Sequence, residues 1–252
     1  MSPAVVAPCA CVVLVGTLVF GSAAGGAQMA HRIRGSVNAV SGAAVPDAQV
    51  RAEAIAGFRG EQFAGQKHFD ATSNAKGEWT MLGLTSGVWV FEASAPGHLP
   101  QVFVLTIELV SRKPISAIGS ALRWQLPFTL EPAAGRATLE GAASAAHAGD
   151  LTTAVTRIGI ATGEASTVEE LIAAGELALM TRQNGLAEAV FGQALEKVPQ
   201  HPRALVGLAS AALMQLNWDV ASTRFWTARD LVARDLRPAL AAVISDLQQV
   251  TQ

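Results

Sequence analysis

The residues best able to do chemistry in this chain are few and scattered. Five histidines, His31, His68, His98, His147 and His201, stand far apart. None begins an H-x-x-E or H-E-x-x-H arrangement that would set two zinc ligands on one face of a helix or strand. There is no G-x-S-x-G elbow, no G-x-x-x-x-G-K-[ST] phosphate loop, and no G-x-G-x-x-G opening a helix after a strand. The adjacent acids Glu169 and Glu170 fall in the first turn of a predicted helix, where negative charge favours the helix dipole. That role accounts for them better than acid-base catalysis. His98, between Gly97 and Leu99 and close to Pro100, reads as a loop histidine. The expectation is a protein that is not an enzyme and carries no cofactor or metal.

Composition excludes other classes. The chain has 252 residues, 50% of them hydrophobic and 15% charged, with a net charge of -2. It can bury one large core or two small ones, and it has no basic field with which to collect nucleic acid. Residues 5–20 form an apolar run followed by small residues ending near Ala24 or Ala27, the pattern of an export signal. The run is short for a spanning helix, which needs about 20 apolar residues. Its n-region carries no Lys or Arg, which leaves a mis-assigned start or an uncleaved N-terminal anchor as the alternative. Both cysteines, Cys9 and Cys11, lie inside this segment. A mature chain would then lack thiols and disulfides, and its place would be periplasmic or extracellular.

From 31 to 132 the hydrophobic pattern has period two. "IRGSVNAV" and "AQVRAEAI" are alternating runs separated by "SGAAVPD", and "NAKG" and "TSG" mark tight reversals before "EWTML" and "VWVFEAS". With "QVFVLTIEL" and "WQLPFTLEP" this gives six or seven strands, enough for a β-sandwich. The turn and strand residues Gly35, Val37, Pro46, Ala48, Val50, Thr72, Gly77, Trp79, Gly83, Leu84, Gly87, Trp89, Ala95 and Gly97 resemble the pattern of carboxypeptidase regulatory-like domains, which are immunoglobulin- or transthyretin-like sandwiches. His98 stands where that pattern has an aromatic. The resemblance implies that Trp79 and Trp89 belong to the sandwich core; a sugar-stacking platform is the alternative, and Trp124 is uncommitted. The peptidase part that gives that family its name is missing.

Between 133 and 149 alternation stops and Ala and Gly dominate, as in a linker or a degenerate first helix. From 150 to 252 the period becomes helical. Two segments, 168–201 and 202–235, align at a spacing of about 34, the tetratricopeptide period. Gly175, Ala187, Phe191, Ala194 and Pro199 in the first, and Leu208, Ala221, Phe225 and Ala228 in the second, resemble the tetratricopeptide (TPR) pattern. Ala154, Ile158 and Ala161 fit a degenerate earlier copy. The last segment reads as a capping helix with Asp235 as N-cap and an apolar stripe of Leu240, Val243, Ile244 and Leu247.

The expected fold class is therefore multidomain β + α, an immunoglobulin/transthyretin-like sandwich followed by TPR-like repeats. By the register of the repeat family, the concave face carries Glu169, Ile172, Glu176 and Leu179, then Arg203, Val206, Ser210 and Leu213. Ile172, Glu176, Leu179, Val206, Ser210 and Leu213 are the expected contacts for a protein or peptide partner in the cell envelope. The alternative is that the terminal helix or the β-domain covers them. The function implied is an exported scaffold or adaptor, with polysaccharide or surface binding by the sandwich as the second reading.

Overall fold

The computed structural model describes residues 31–57, 60–63, 67–108, 125–163 and 166–251. The expected signal segment 1–27, with Cys9 and Cys11, and the uncommitted Trp124 lie outside the described residues. Among the described residues seven strands come first: β1 (His31–Ala39), β2 (Gln49–Ala56), β3 (His68–Thr72), β4 (Glu78–Leu84), β5 (Gly87–Ser94), β6 (Gln101–Ile107) and β7 (Leu126–Leu130). Seven helices follow: α1 (Ala137–His147), α2 (Leu151–Ala161), α3 (Val168–Met180), α4 (Asn184–Lys197), α5 (Pro202–Met214), α6 (Trp218–Arg229) and α7 (Arg237–Val250). The chain is thus a β half followed by an α half.

The strands make two sheets, ordered β4-β1-β7 and β3-β2-β5-β6. The first mixes an antiparallel β1–β4 pair with a parallel β1–β7 pair; the second is antiparallel throughout. Aromatic rings join the sheets face to face. Phe128 of β7 lies 5.3 Å from Phe103 of β6 and 6.0 Å from Trp79 of β4, centroid to centroid. Trp79 is 2% exposed and Trp89 is fully buried. Trp89 meets Phe63 edge-on at 5.0 Å and donates its indole N–H to the Thr85 carbonyl. Both tryptophans are core residues, so neither offers a face to a sugar.

Turn chemistry sets the hairpin that carries Trp79. The Asn74 side-chain oxygen accepts the backbone N–H groups of Lys76 and Glu78, at 2.8 and 3.0 Å. Gly77 sits at φ 74°, and a Cβ there would lie 2.4 Å from the Val37 carbonyl oxygen. Only glycine fits this turn.

The helices stack as hairpins. α5 and α6 begin at 202 and 218, one repeat period of about 34 residues beyond α3 at 168 and α4 at 184. The Phe191 ring wedges between α3 and α5, because Gly175 and Gly207 leave room for it; a Cβ at either position would meet the ring at under 3 Å. Ala187, Ala194, Ala221 and Ala228 are fully buried where the helices of each hairpin touch. Glu170 closes a capping box with Thr167, accepting the Thr167 N–H at 2.8 Å. This bond holds its carboxyl below the usual carboxylate range and confirms the acidic pair at a helix start.

Of the two readings of the Ala/Gly-rich stretch, the structure has the helix: 137–147 is helical, and with α2 it forms a first hairpin packed on α3. One detail differs from the sequence reading. Asp235 does not cap the last helix, which starts at Arg237 with Leu236 at the N-cap and no side-chain cap. The stripe Leu240, Val243, Ile244 and Leu247 is buried as expected.

Candidate functional site

The site is built on β6, whose seven residues are all buried. Phe103 points into the sandwich toward Phe128, so Val102, Val104 and Thr106 point the other way. Helices α3, α5 and α7 pack against that second face. The chain therefore has three layers, sheet on sheet on helices. The helical face expected to hold a partner is the one that meets β6.

Ile172, Glu176, Leu179, Val206, Ser210 and Leu213 come together on this inner face, and none is more than 4% exposed. As partner contacts these six residues are corrected: the chain's own β-domain covers them. Their apolar character matches β6, which is apolar outward as well as inward. Glu176 accepts two hydrogen bonds from the Nη2 of Arg203, at 3.0 and 3.1 Å. Arg203 Nη1 also donates to Glu131 Oε1 at 3.0 Å, and Arg136 lies 3.5 Å from the other Glu131 oxygen. Two arginines thus neutralise two carboxylates at the junction. Burial pushes the Glu176 carboxyl up, and the Arg203 charge opposes it.

Further side chains tie the layers. Thr106 Oγ1 donates to Asp246 Oδ2 of α7 at 2.8 Å, and Arg182, after α3, pairs with Glu53 of β2 at 2.8 Å. His147, at the end of α1, bonds Glu92 of β5. Glu131, Arg136, Glu92 and Asp246 were not singled out from the sequence. The signal for this junction was "QVFVLTI", apolar at consecutive positions, as strands covered on both faces are.

An open space lies at the junction. A cleft of about 350 Å³ lies where β6 and β7 meet α5 and the loop before α7. Val40, Pro127, Phe103, Val206 and Leu236 form apolar wall, while Glu131, Arg203, Glu176 and His201 supply polar groups. Burial and the nearby Arg203 charge hold the His201 imidazole below its usual range, so it is neutral at pH 7. Val40, at the mouth, is 56% exposed. Of the other histidines, His98 and His147 share a second cleft, between α1 and the β5–β6 connection, whereas His31 and His68 stand in β1 and β3.

No family model matches the chain, and no curated protein matches it. Among solved structures it is similar to chlorocatechol 1,2-dioxygenase from Pseudomonas putida, at 11% identity and TM-score 0.31, over 41% of this chain and 61% of that one. It is similar also to 3-chlorocatechol 1,2-dioxygenase from Rhodococcus opacus 1CP, at 12% identity and TM-score 0.32, over 42% and 60%. The third is PcrH from Pseudomonas aeruginosa, at 19% identity and TM-score 0.38, over 46% and 91%. The chain thus spans about three-fifths of the length of the two dioxygenases. Because those two proteins are enzymes, the expectation that this chain is not one is withdrawn. At these TM-scores the likenesses carry no argument for a reaction, and none is assigned from them.

Proposed function

We propose that this chain is an exported interaction protein, a carboxypeptidase regulatory-like sandwich and TPR-like repeats joined into one composite binding body. Its partner is a protein or peptide of the cell envelope, and the recognition element is the cleft at the junction, not the repeat face that β6 fills. The observation that carries this reading is the cleft itself. It lies at a domain junction, has apolar walls with a few polar groups, and its volume falls in the range of about 300–1,000 Å³ typical of binding sites. An apolar side chain of a partner segment suits it.

The test is affinity capture of the full chain from an envelope fraction, with Val40→Arg set against Trp226→Arg. Both positions are exposed, so neither change should disturb the fold, and Trp226 lies on α6 away from the cleft lining. Loss of the captured protein with Val40→Arg alone is the expected result. Loss with Trp226→Arg alone would move the partner to the outer helices. The intact mass of the exported protein tests export directly, with cleavage expected after Ala24 or Ala27.

A further inference from the structure

The first helical hairpin is held to the sheet differently from the rest. Helices α3, α5 and α7 pack directly on β6. Helix α1 faces the sheet across a cleft lined by Glu140, Ala143 and Ser144, and its C-terminal His147 bonds Glu92 Oε1 of β5 through Nε2. Glu92 is only 9% exposed, and His147 bonds its carboxylate from the α1 side. The imidazole keeps 40% of its surface and so exchanges protons with solvent.

The groups around the pair are few. Arg51 of β2 acts on His147 and is itself paired with Asp70 of β3 at 3.1 Å. Glu140 of α1 and His98, in the connection between β5 and β6, line the adjoining cleft of about 280 Å³, and His98 Nδ1 is turned to the Pro96 carbonyl. Gln49 and Ser94, on the strand side of this cleft, are uncharged.

We propose that His147 and Glu92 form a pH-sensitive latch, in which protonated His147 clamps the first hairpin to the sheet and its deprotonation loosens α1 over the cleft beneath it. The hydrogen bond to Glu92 raises the affinity of His147 for its proton; burial and the Arg51 charge act the other way but do not prevail. The sign follows. A histidine whose proton is held more tightly in the folded state contributes its full stabilisation below its unfolded pKa of about 6.5, and loses it as pH rises through the folded value. Above that value a neutral imidazole can still donate to Glu92, but without the charge that strengthens the bond.

Hydrogen exchange of the full chain between about pH 5.5 and 8.5 tests the latch. The readout is the ratio of the intrinsic exchange rate at each pH to the rate observed, averaged over residues 137–161, which removes the intrinsic pH dependence. In the wild type the ratio should fall by up to about tenfold for each unit by which the His147 pKa is raised. In Glu92→Gln and in His147→Gln it should be flat, with far-UV circular dichroism confirming that each variant is folded. An NMR titration of His147 should show its pKa dropping in Glu92→Gln. A flat ratio in the wild type, or a wild-type slope retained in Glu92→Gln, overturns the latch. Should either glutamine variant fail to fold, the wild-type ratio and titration decide alone.

Discussion

Glu176 of α3 and Arg203 of α5 are joined by a two-pronged ion pair directly beneath β6, and Arg203 reaches on to Glu131, just after β7. One guanidinium therefore ties two helices and the sandwich. Removing the carboxylate as Glu176→Ala leaves Arg203 facing apolar wall with Glu131 as its remaining acid. Breaking such a pair costs about 3 kcal/mol, the low end of the usual range because Arg203 keeps a quarter of its surface in water. The double change Glu176→Leu with Arg203→Met should recover most of that loss, since a matched apolar pair avoids desolvating either charge. Urea denaturation of the three variants measures both effects.

Ser210 is fully buried on α5, in the layer that meets β6. A long charged side chain has no exit there. Ser210→Arg should cost more than about 3 kcal/mol, by overpacking together with an unpaired buried charge. A thermal midpoint unchanged from wild type would show the layers separated in solution.

The two halves should melt as one. Helix α1 fills the stretch between them, and β6 is enclosed on both sides. Calorimetry is expected to give a single transition, and limited proteolysis should spare 137–147. Two transitions would mean that the junction contributes little.

Trp89 has no exposure, touches Phe63 and Phe69, and spends its N–H on Thr85. Trp89→Ala should cost roughly 3–5 kcal/mol, as large-to-small core changes of aromatics do. Ala194→Leu and Ala228→Leu, which overfill contacts between paired helices, should each cost roughly 1–3 kcal/mol. Denaturant midpoints followed by far-UV circular dichroism test all three.

Elements and repeat period were legible because each rests on local rules. Asn74 and Gly77 dictate their turn, and Gly175, Ala187, Phe191 and Ala194 dictate how two helices cross. The inner helical face was legible too, down to Glu176 and Ser210. What covers it was not, because an apolar stripe on a helix has the same composition whether it meets a foreign peptide or the protein's own strand. Only the pairing of that stripe with the doubly apolar β6 decides, and such pairings join positions far apart in sequence. The Thr106–Asp246 bond, for example, spans 140 residues. Helix α1 stood as one of two readings for another reason: alanine and glycine serve linkers and close-packed helices alike.

That span sets a timetable for the nascent chain. At roughly 5–20 residues per second, the ribosome needs roughly 7–28 s to deliver Asp246, 140 residues after Thr106. Until α3, α5 and α7 follow in turn, the outward row of Val102, Val104 and Thr106 faces solvent beside an unpaired strand edge, the surface on which other chains nucleate sheets. A fragment ending after β7 would be fixed at this stage permanently. It would self-associate through β6, and chaperones that grip extended apolar strands would be the first proteins to meet it.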